Sequence, residues 1–175
     1  RDVININRDW RFFSHTEGSS DRAQGVNLPH MWNNDALSGR NDYFRGVGNY
    51  MKDIAVPKEW AGRRIFVRFG GAGTVADLIV NGRYVGEHRG GYSAFTFDLT
   101  DYLKYGENNS LWVIVNNAPR LDVLPTAGDI NVYGGLYRDV ELIVTDPSHI
   151  AVDDYASEGV YVHQKEVSRE KADLE

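Results

Sequence analysis

Short alternating runs of apolar and polar residues, divided by glycine-rich turns, restrict this chain more than any other feature of its sequence. Between Ile65 and Phe69 every second side chain is large and apolar, whereas Arg64 and Arg68 occupy the opposite face. The segment Phe95–Leu99 repeats this alternation. A period of two is the spacing of a half-buried β-strand. We therefore predict two strands that face one core, the first of them with a cationic outer face.

Two further segments, Leu111–Val115 and Val140–Val144, are apolar at nearly every position. Such runs suit strands that are covered on both faces, so we predict that each lies in the interior of a sheet. A third segment, Gly48–Val56, has a looser pattern and is followed by Pro57. Because proline has no backbone N–H, it favours the end of a strand at this point.

The strongest turn signal is the pair Asn81-Gly82, which divides the segment Val75–Val85 into two β-rich halves. Both central residues of a type I′ turn need a positive φ, and asparagine followed by glycine meets that need best. We therefore predict a β-hairpin with its turn at these two residues.

The rest of the pattern predicts short elements joined by glycine-rich connections. The 175 residues include 18 Gly, 10 Tyr and 7 Phe, a composition typical of strands and turns. Roughly ten short strands predict an all-β fold, and we expect a jelly-roll β-sandwich, with a barrel as the alternative. The remaining predicted strands are Val3–Ile6, Trp10–Phe13 and Val26–Leu28, and helix is confined to about one turn around Thr100–Lys104.

The chain changes character after Val144. The segment Thr145–Ser148 has the composition of a linker, and Gly159–His163 alternates again, as at the start of a new strand. The charged residues Ser168–Glu175 are expected to be helical or disordered. We therefore predict a sandwich over residues 1–147 and the beginning of another unit over 148–175.

Several classes of chemistry find no support in the sequence. The chain has no cysteine and no Gly-x-Ser-x-Gly motif, its five histidines lack metal-ligand spacing, and no phosphate-binding loop is present. The net charge is −6 without a basic run, which argues against nucleic acid, and no apolar run approaches a membrane span. The sequence therefore predicts a soluble protein with no catalytic residue, no metal and no cofactor, and no nucleic-acid or membrane partner.

The aromatic residues allow two interpretations. Trp10 and Trp112 are predicted to lie in the core, because a sandwich interior uses such side chains. For Tyr133 and Tyr137 both a core position and a sugar-stacking surface remain open. Trp32 is a further candidate for such a surface.

Several short phrases occur along the chain in a characteristic order. They are Leu28–Asn33, Gly48–Lys52, Val56–Trp60, Val80–Gly82, Val85-Gly86, Gly90–Phe95, Phe97–Thr100 and Gly134–Val140. The closing Gly-Gly-Leu-Tyr-Arg-Asp-Val is the most specific of them. Over residues 1–147 the set resembles the N-terminal sugar-binding-type domain of glycoside hydrolase family 2, which contains β-galactosidases, β-glucuronidases and β-mannosidases.

This resemblance implies a galactose-binding-domain-like jelly roll, followed by an immunoglobulin-like sandwich and a (β/α)₈ barrel with the catalytic glutamates. On that basis residues 148–175 would be a linker and the first strand of the second domain. The family's acid/base glutamate follows an asparagine, and this chain contains no Asn-Glu pair. The chain alone is therefore expected to be inactive and to support a barrel that cleaves terminal β-glycosidic bonds with retention.

The resemblance also implies one substrate contact, Asp129, which lies nine positions before Arg138. In the β-galactosidase branch an aspartate at this place reaches the sugar hydroxyls, and a carboxylate can accept two such hydrogen bonds. The alternative is a loop aspartate that caps its own turn. A second family contact, an asparagine, could be Asn33, Asn34 or Asn41.

Several alternatives stay open at this point. We favour a β-galactosidase type, with a terminal β-galactoside as the carbohydrate partner, over β-glucuronidase and β-mannosidase. An autonomous carbohydrate-binding module or lectin is the competing class. Arg138 and Asp139 are expected to form a structural ion pair or an interdomain contact, and His30 a packed or hydrogen-bonded loop residue. If the source is bacterial, the resemblance implies a periplasmic or secreted setting.

Overall fold

The computed structural model describes residues 1–14, 22–33, 44–126 and 131–175. Within these ranges nearly all regular structure is β-strand. The strands are β1 (Asp2–Asn5), β2 (Trp10–Ser14), β3 (Gln24–Val26), β4 (Val47–Val56), β5 (Arg64–Phe69), β6 (Val75–Val80), β7 (Arg83–Arg89), β8 (Phe95–Asp98), β9 (Glu107–Asn116), β10 (Val140–Thr145), β11 (Gln164–Val167) and β12 (Ala172–Leu174).

The strands form two large antiparallel sheets and one small ribbon. The four-stranded sheet has the order β1-β10-β5-β8, and the six-stranded sheet has the order β3-β2-β4-β9-β6-β7. Strands β11 and β12 pair only with each other. The prediction of an all-β jelly-roll sandwich is confirmed.

One apolar core lies between the two large sheets. Its largest fully buried side chains include Trp10 and Tyr50 of the six-stranded sheet and Ile65 and Phe69 of the four-stranded sheet. The ring of Phe69 stacks on that of Phe95, with centroids 4.9 Å apart, so β5 and β8 face this core together as predicted. The predicted interior positions are confirmed, since β9 lies between β4 and β6, and β10 between β1 and β5. The outer face of β10 is also covered, through Ile143, whereas the outward side chains of β9 belong to neither apolar cluster of the described residues.

The predicted hairpin is confirmed at its predicted turn. Strands β6 and β7 pair so that Val80 opposes Arg83, which leaves Asn81 and Gly82 as the two-residue loop. Their φ angles are 52° and 76°, the left-handed values that a type I′ turn needs. The Asn81 side chain also donates to the carbonyl of Tyr102, at 2.9 Å. This hydrogen bond joins the hairpin to the segment between β8 and β9.

The prediction that Trp112 is a core residue is wrong. Its neighbours Leu111 and Val113 are buried in the core, so the alternation of β9 places Trp112 on the outer face of the six-stranded sheet, where it is half-buried. Its Nε1 donates to Oδ1 of Asn49, 3.0 Å away. A run that is apolar at every position does not reveal which of its two faces points inward.

The predicted helical turn near Thr100 is a single hydrogen-bonded turn, from the N–H of Tyr102 to the carbonyl of Leu99 at 2.8 Å. One turn of 3-10 helix forms instead at Lys58–Trp60, directly after Pro57. In the ranges that the structure describes, no helix is long and apolar enough to cross a membrane.

The segment after β10 folds back over the outer face of the four-stranded sheet. Val152 is buried against Phe66 and Ile143 in a second, smaller apolar cluster. Glu158 lies 3.1 Å from the Arg1 guanidinium and 3.9 Å from that of Arg68. The predicted cationic face of β5 is therefore covered by an acidic segment, which we call the strap (residues 146–159).

The predictions for the last residues are partly wrong. No strand forms at Gly159–His163; the first strand after the strap is β11, at Gln164–Val167. Ser168–Glu175 is neither helical nor disordered, since β12 pairs with β11 and the N–H of Glu175 bonds to the carbonyl of His163 at 2.8 Å. Backbone hydrogen bonds between the two strands of the ribbon outweigh the helix preference and the low strand propensity of these residues.

Candidate functional site

One end of the sandwich gathers several long connections, and two of them pair with each other. The N–H of His30 donates to the carbonyl of Leu136 at 2.8 Å, and the N–H of Trp32 donates to that of Gly134 at 3.1 Å. Gly73 bridges to Gly135 from the neighbouring connection. The segments 28–33 and 132–139, which contain or overlap the phrases Leu28–Asn33 and Gly134–Val140 noted above, are therefore held side by side. We call this end of the sandwich the rim.

A buried side chain, Asn33, joins these two segments further. Its Nδ2 donates to the carbonyl of Val132 at 2.9 Å, and its Oδ1 accepts from the N–H of Gly134 at 3.0 Å. The residue is only 1% exposed. Asn33 is thus occupied as an internal cross-link, which leaves Asn34 and Asn41, both outside the described residues, as candidates for the second substrate contact.

A second buried amide, Asn117, completes the connection to β4. Its Nδ2 also donates to the carbonyl of Val132, at 3.1 Å, while its Oδ1 accepts from the N–H of Gly46 at 2.8 Å. Arg45 donates from Nε to the carbonyl of Asn117 at 2.8 Å. The hydrogen-bond partners of Asn33 and Asn117 are distant in the sequence, so no local pattern marks either residue. The sequence analysis therefore did not predict these structural roles.

The ring of Trp32 fills the space beneath this network. It stacks on Phe12, with centroids 5.9 Å apart, and its Nε1 donates to the carbonyl of Phe44 at 3.2 Å. A Cβ atom at either Gly48 or Gly134 would overlap the indole. Trp32 is therefore a partly buried packing residue of the rim, and its part in a sugar-stacking surface stays a prediction.

His30 is a hydrogen-bonded loop residue, as expected. Its Nδ1 lies 2.7 Å from the hydroxyl of Tyr50. Burial raises the pKa of the Tyr50 phenol far above its ordinary value, so this hydroxyl stays protonated. Gly135 approaches the same hydroxyl so closely that a Cβ atom there would collide with it. The pair supports the rim from below, and the Nδ1 atom of His30 is engaged by this contact.

Three tyrosines lie at the surface of the rim. Tyr133 and Tyr137 have ring centroids 5.6 Å apart, and Tyr133 and Tyr92 are 39% and 48% exposed. The hydroxyl of Tyr137 donates to the carbonyl of Gly91. Burial raises the pKa of Tyr137, and the nearby Arg138 guanidinium opposes that rise. Of the two tyrosines left open by the sequence, Tyr133 is available to a ligand and Tyr137 is half-buried.

Arg138 binds carbonyl groups rather than Asp139. Its Nη1 donates to the carbonyls of Gly70 and Tyr92, at 3.2 and 3.1 Å. Asp139 instead accepts from Nδ2 of Asn7 at 2.7 Å. The expected ion pair between neighbouring residues is absent from the described part of the chain. Both side chains fasten connections together.

An open cleft of about 490 Å³ begins beside these residues and runs onto the outer face of the four-stranded sheet. Tyr137 and Arg138 line it at one end, and Arg68 and Glu141, 3.8 Å apart, line it further along. Donors, carboxylates and an aromatic ring on one wall suit the hydroxyl-rich surface of a sugar.

Asp129, the predicted substrate contact, lies outside the described residues. It is three positions before Val132, whose carbonyl accepts from both buried asparagines. Within the described ranges no three His, Asp or Glu side chains are arranged to hold a metal ion. The rim as described offers fixed hydrogen-bonding groups and aromatic surface, which can bind and position a ligand.

Two antiparallel sheets around one core, with long connections gathered at one end, define a β-sandwich domain of the jelly-roll class. The sequence model for "Glycosyl hydrolases family 2, sugar binding domain" matches residues 40–147. The chain therefore belongs to glycoside hydrolase family 2, as the N-terminal sugar-binding domain found in these enzymes.

Known relatives agree with this assignment. A β-glucuronidase of Bacteroides fragilis is 50% identical over 98% of this chain and 25% of its own length. A β-galactosidase of Thermoanaerobacter pseudethanolicus is 34% identical over 86% of this chain and 22% of its own length. The crystal structure of a Bacteroides uniformis β-glucuronidase matches with a TM-score of 0.89 at 35% identity, over 99% of this chain and 21% of that one. The chain thus spans about a quarter of the relatives' length.

Proposed function

We propose that this chain is the non-catalytic N-terminal domain of an enzyme that hydrolyses terminal β-glycosidic bonds with retention of configuration. In this role residues 1–147 support a catalytic barrel and present Asp129 to the sugar. The observation that carries the proposal is the pair of buried amides, Asn33 and Asn117, which fix the carbonyl of Val132 three residues after Asp129. A side chain that contacts substrate must be held in place by its surroundings, and this network is suited to that task.

Residues 148–175 are proposed to be a linker and the beginning of a following immunoglobulin-like domain. Strand β10 ends at Thr145, and the family match ends at residue 147. All seven residues of β11 and β12 are exposed. An isolated two-stranded ribbon is marginally stable in water, so a neighbouring domain that covers one of its faces would stabilise it.

Two sugars are candidates for the substrate. The spacing of Asp129 in the sequence favours a β-galactoside, whereas the Bacteroides fragilis relative at 50% identity is named a β-glucuronidase. We favour the β-glucuronide, because that relative is more similar over a larger share of the chain than the β-galactosidase at 34% identity. Assays of the full-length protein with p-nitrophenyl β-D-glucuronide and β-D-galactoside decide between the two. A higher kcat/KM for the galactoside would reverse this choice.

The role of Asp129 is tested in the same full-length protein. Asp129→Asn keeps the shape of the side chain but removes its charge, so we expect kcat/KM to fall about 10- to 100-fold, the loss of charge-assisted hydrogen bonds. Asp101→Asn, the same change at an exposed residue of another turn, is the control and should leave kcat/KM unchanged. Equal activity of the two variants would contradict the contact and leave only the supporting role of the domain.

An autonomous carbohydrate-binding module is the second candidate, and the exposed ring of Tyr133 beside Tyr137 favours it. This function requires saturable glycan binding by the 175-residue chain alone, weakened by Tyr133→Ala while the thermal midpoint is retained. If the chain binds no glycan on a screening array, or if the variant binds equally well, this candidate fails.

A further inference from the structure

The outer face of the six-stranded sheet carries an apolar band. Strand register places Met51, Trp112 and Ile79 side by side on β4, β9 and β6. The next outward row contains Phe13 and Ile114, with the polar side chain of Asn49 between them, so the band is continuous only along the first row. All five side chains are half-buried, and none of them belongs to either of the two apolar clusters found among the described residues, whereas the strap forms one of those clusters with the other sheet. We call these five residues the sheet-face band.

Polar groups border the band on both sides. On one side Arg11 lies 3.3 Å from Asp53, across β2 and β4. On the other side the hydroxyl of Tyr84 donates to Oδ1 of Asp77 at 3.0 Å. In the centre the indole N–H of Trp112 is already bound, so the ring offers an apolar surface between two sets of hydrogen-bonding groups. Flat apolar surface beside donors and acceptors matches the alternating C–H and O–H character of a sugar ring.

The dimensions of the band argue against a protein partner. Three intervals between β2 and β6 span about 14 Å, and two rows along a strand add about 7 Å. That surface is far smaller than the roughly 800 Å² that each partner buries in a stable complex. An extended chain that is one sugar ring wide needs no larger surface.

The charges beside the band select for an uncharged ligand. Asp53, Asp77 and Glu87 lie on the outward rows of this sheet beside two cations, Arg11 and Arg89. Arg11 pairs with Asp53 and Arg89 with Glu87, so these rows have no excess of positive charge, and the whole chain has a net charge of −6. A polymer of uronic acids or sulfated sugars would meet like charge on approach. We propose that the sheet-face band is a binding site for a neutral polysaccharide, with one sugar ring stacked on Trp112 and hydroxyls bound by Asp77 and Asp53.

The experiment is affinity gel electrophoresis of the intact gene product that carries this chain. The gels contain arabinogalactan, mixed-linkage β-glucan or glucomannan as neutral probes, and hyaluronan as the acidic one. We expect retardation in at least one neutral gel and none in hyaluronan. Trp112→Ala should weaken the apparent binding constant at least about fivefold, and Trp112→Phe, which keeps a flat ring, should weaken it less.

Matched variants separate binding from folding. Tyr155→Ala removes an exposed ring from the strap, 92% exposed, and should leave retardation unchanged. Asp77→Asn keeps an acceptor for Tyr84 but loses the charge, and should weaken retardation without a change in thermal midpoint. Trp112→Leu keeps the band apolar, so a folded Trp112→Leu protein that is no longer retarded shows that the flat ring is needed.

Several results would overturn the inference. The first is that no neutral gel retards the protein, and the second is that only the hyaluronan gel does. The third is that Trp112→Ala or Trp112→Leu is retarded as strongly as the unaltered protein. A change from dimer to monomer in Trp112→Ala, measured by light scattering, would instead identify the band as a protein interface. Retardation measures binding without hydrolysis, so its failure leaves the kinetic test of Asp129 unaffected.

Discussion

Nδ2 of Asn33 lies 2.9 Å from the carbonyl oxygen of Val132, a residue 99 positions further along the chain. This hydrogen bond, together with the return bond from the N–H of Gly134, joins the bases of two connections at the rim. Both connections contain phrases on which the resemblance to the family rests, Leu28–Asn33 and Gly134–Val140. Buried amides within the domain therefore order the rim.

Replacement of Asn33 should destabilise the fold. Asn33→Ala leaves the N–H of Gly134 buried without its acceptor, so the free energy of unfolding should fall by about 1–3 kcal/mol. Urea denaturation of the 175-residue chain measures the change, with the slope checked for two-state behaviour. Asn108→Ala, at an exposed position of β9, is the control and should change the value by less than about 0.5 kcal/mol. Equal midpoints for the two variants would contradict the cross-link.

The contact of Trp32 with two glycines gives a second prediction. Gly48→Ala and Gly134→Ala each add a methyl group where the indole lies, which should cost about 1–3 kcal/mol of unfolding free energy. Gly25→Ala is the matched control, since no atom lies within 4 Å of its added Cβ. Thermal denaturation of the three variants compares them.

A double variant shows whether the indole is the cause. Trp32→Leu vacates the space, so Gly134→Ala should cost less in that background than in the unaltered chain. Strictly additive losses would mean that the alanine is strained for another reason.

The sequence predicted local features of this fold better than distant ones. Asn81 and Gly82 fix their hairpin through their own φ preferences, and the alternation around Val67 fixes which of its neighbours face the core. Trp112 lies in a run that is apolar at every position, so the pattern does not show whether its side chain faces the core or the outside of the sheet. Asn33 and Asn117 depend on partners brought close only by the complete topology, and no local pattern marks such residues.

His88 should make stability depend on pH. Its ring stacks on Phe95, with centroids 3.9 Å apart, and burial lowers its pKa below the ordinary value of 6.5, although the bond to the Gly90 carbonyl acts in the opposite direction. Below pH 6.5 the unfolded chain therefore binds this proton more readily than the folded chain. The stability that the folded state gains from a neutral His88 ring is fully present above pH 6.5, and it is lost as the pH falls through the pKa of His88 in the folded chain.

The measurement is the slope of unfolding free energy between about pH 7.5 and about pH 5.5, a window above most carboxylate titrations. His88→Gln should flatten this slope, whatever its effect on absolute stability. His163→Gln, at an exposed residue before β11, should leave the slope unchanged. A slope that is the same in all three proteins would exclude His88 as its source.

The strap gives the last prediction, because its docking depends on one apolar side chain. Val152 is 1% exposed and packs on Phe66 and Ile143, whereas the ion pairs of Glu158 with Arg1 and Arg68 are partly exposed and contribute little individually. Val152→Ala should therefore cost about 1–2 kcal/mol and should speed amide exchange in residues 150–158 more than in the sandwich core. Val160→Ala, 59% exposed, is the control. If Glu158→Gln loosens the strap more than Val152→Ala does, charge rather than apolar contact holds it on the sheet.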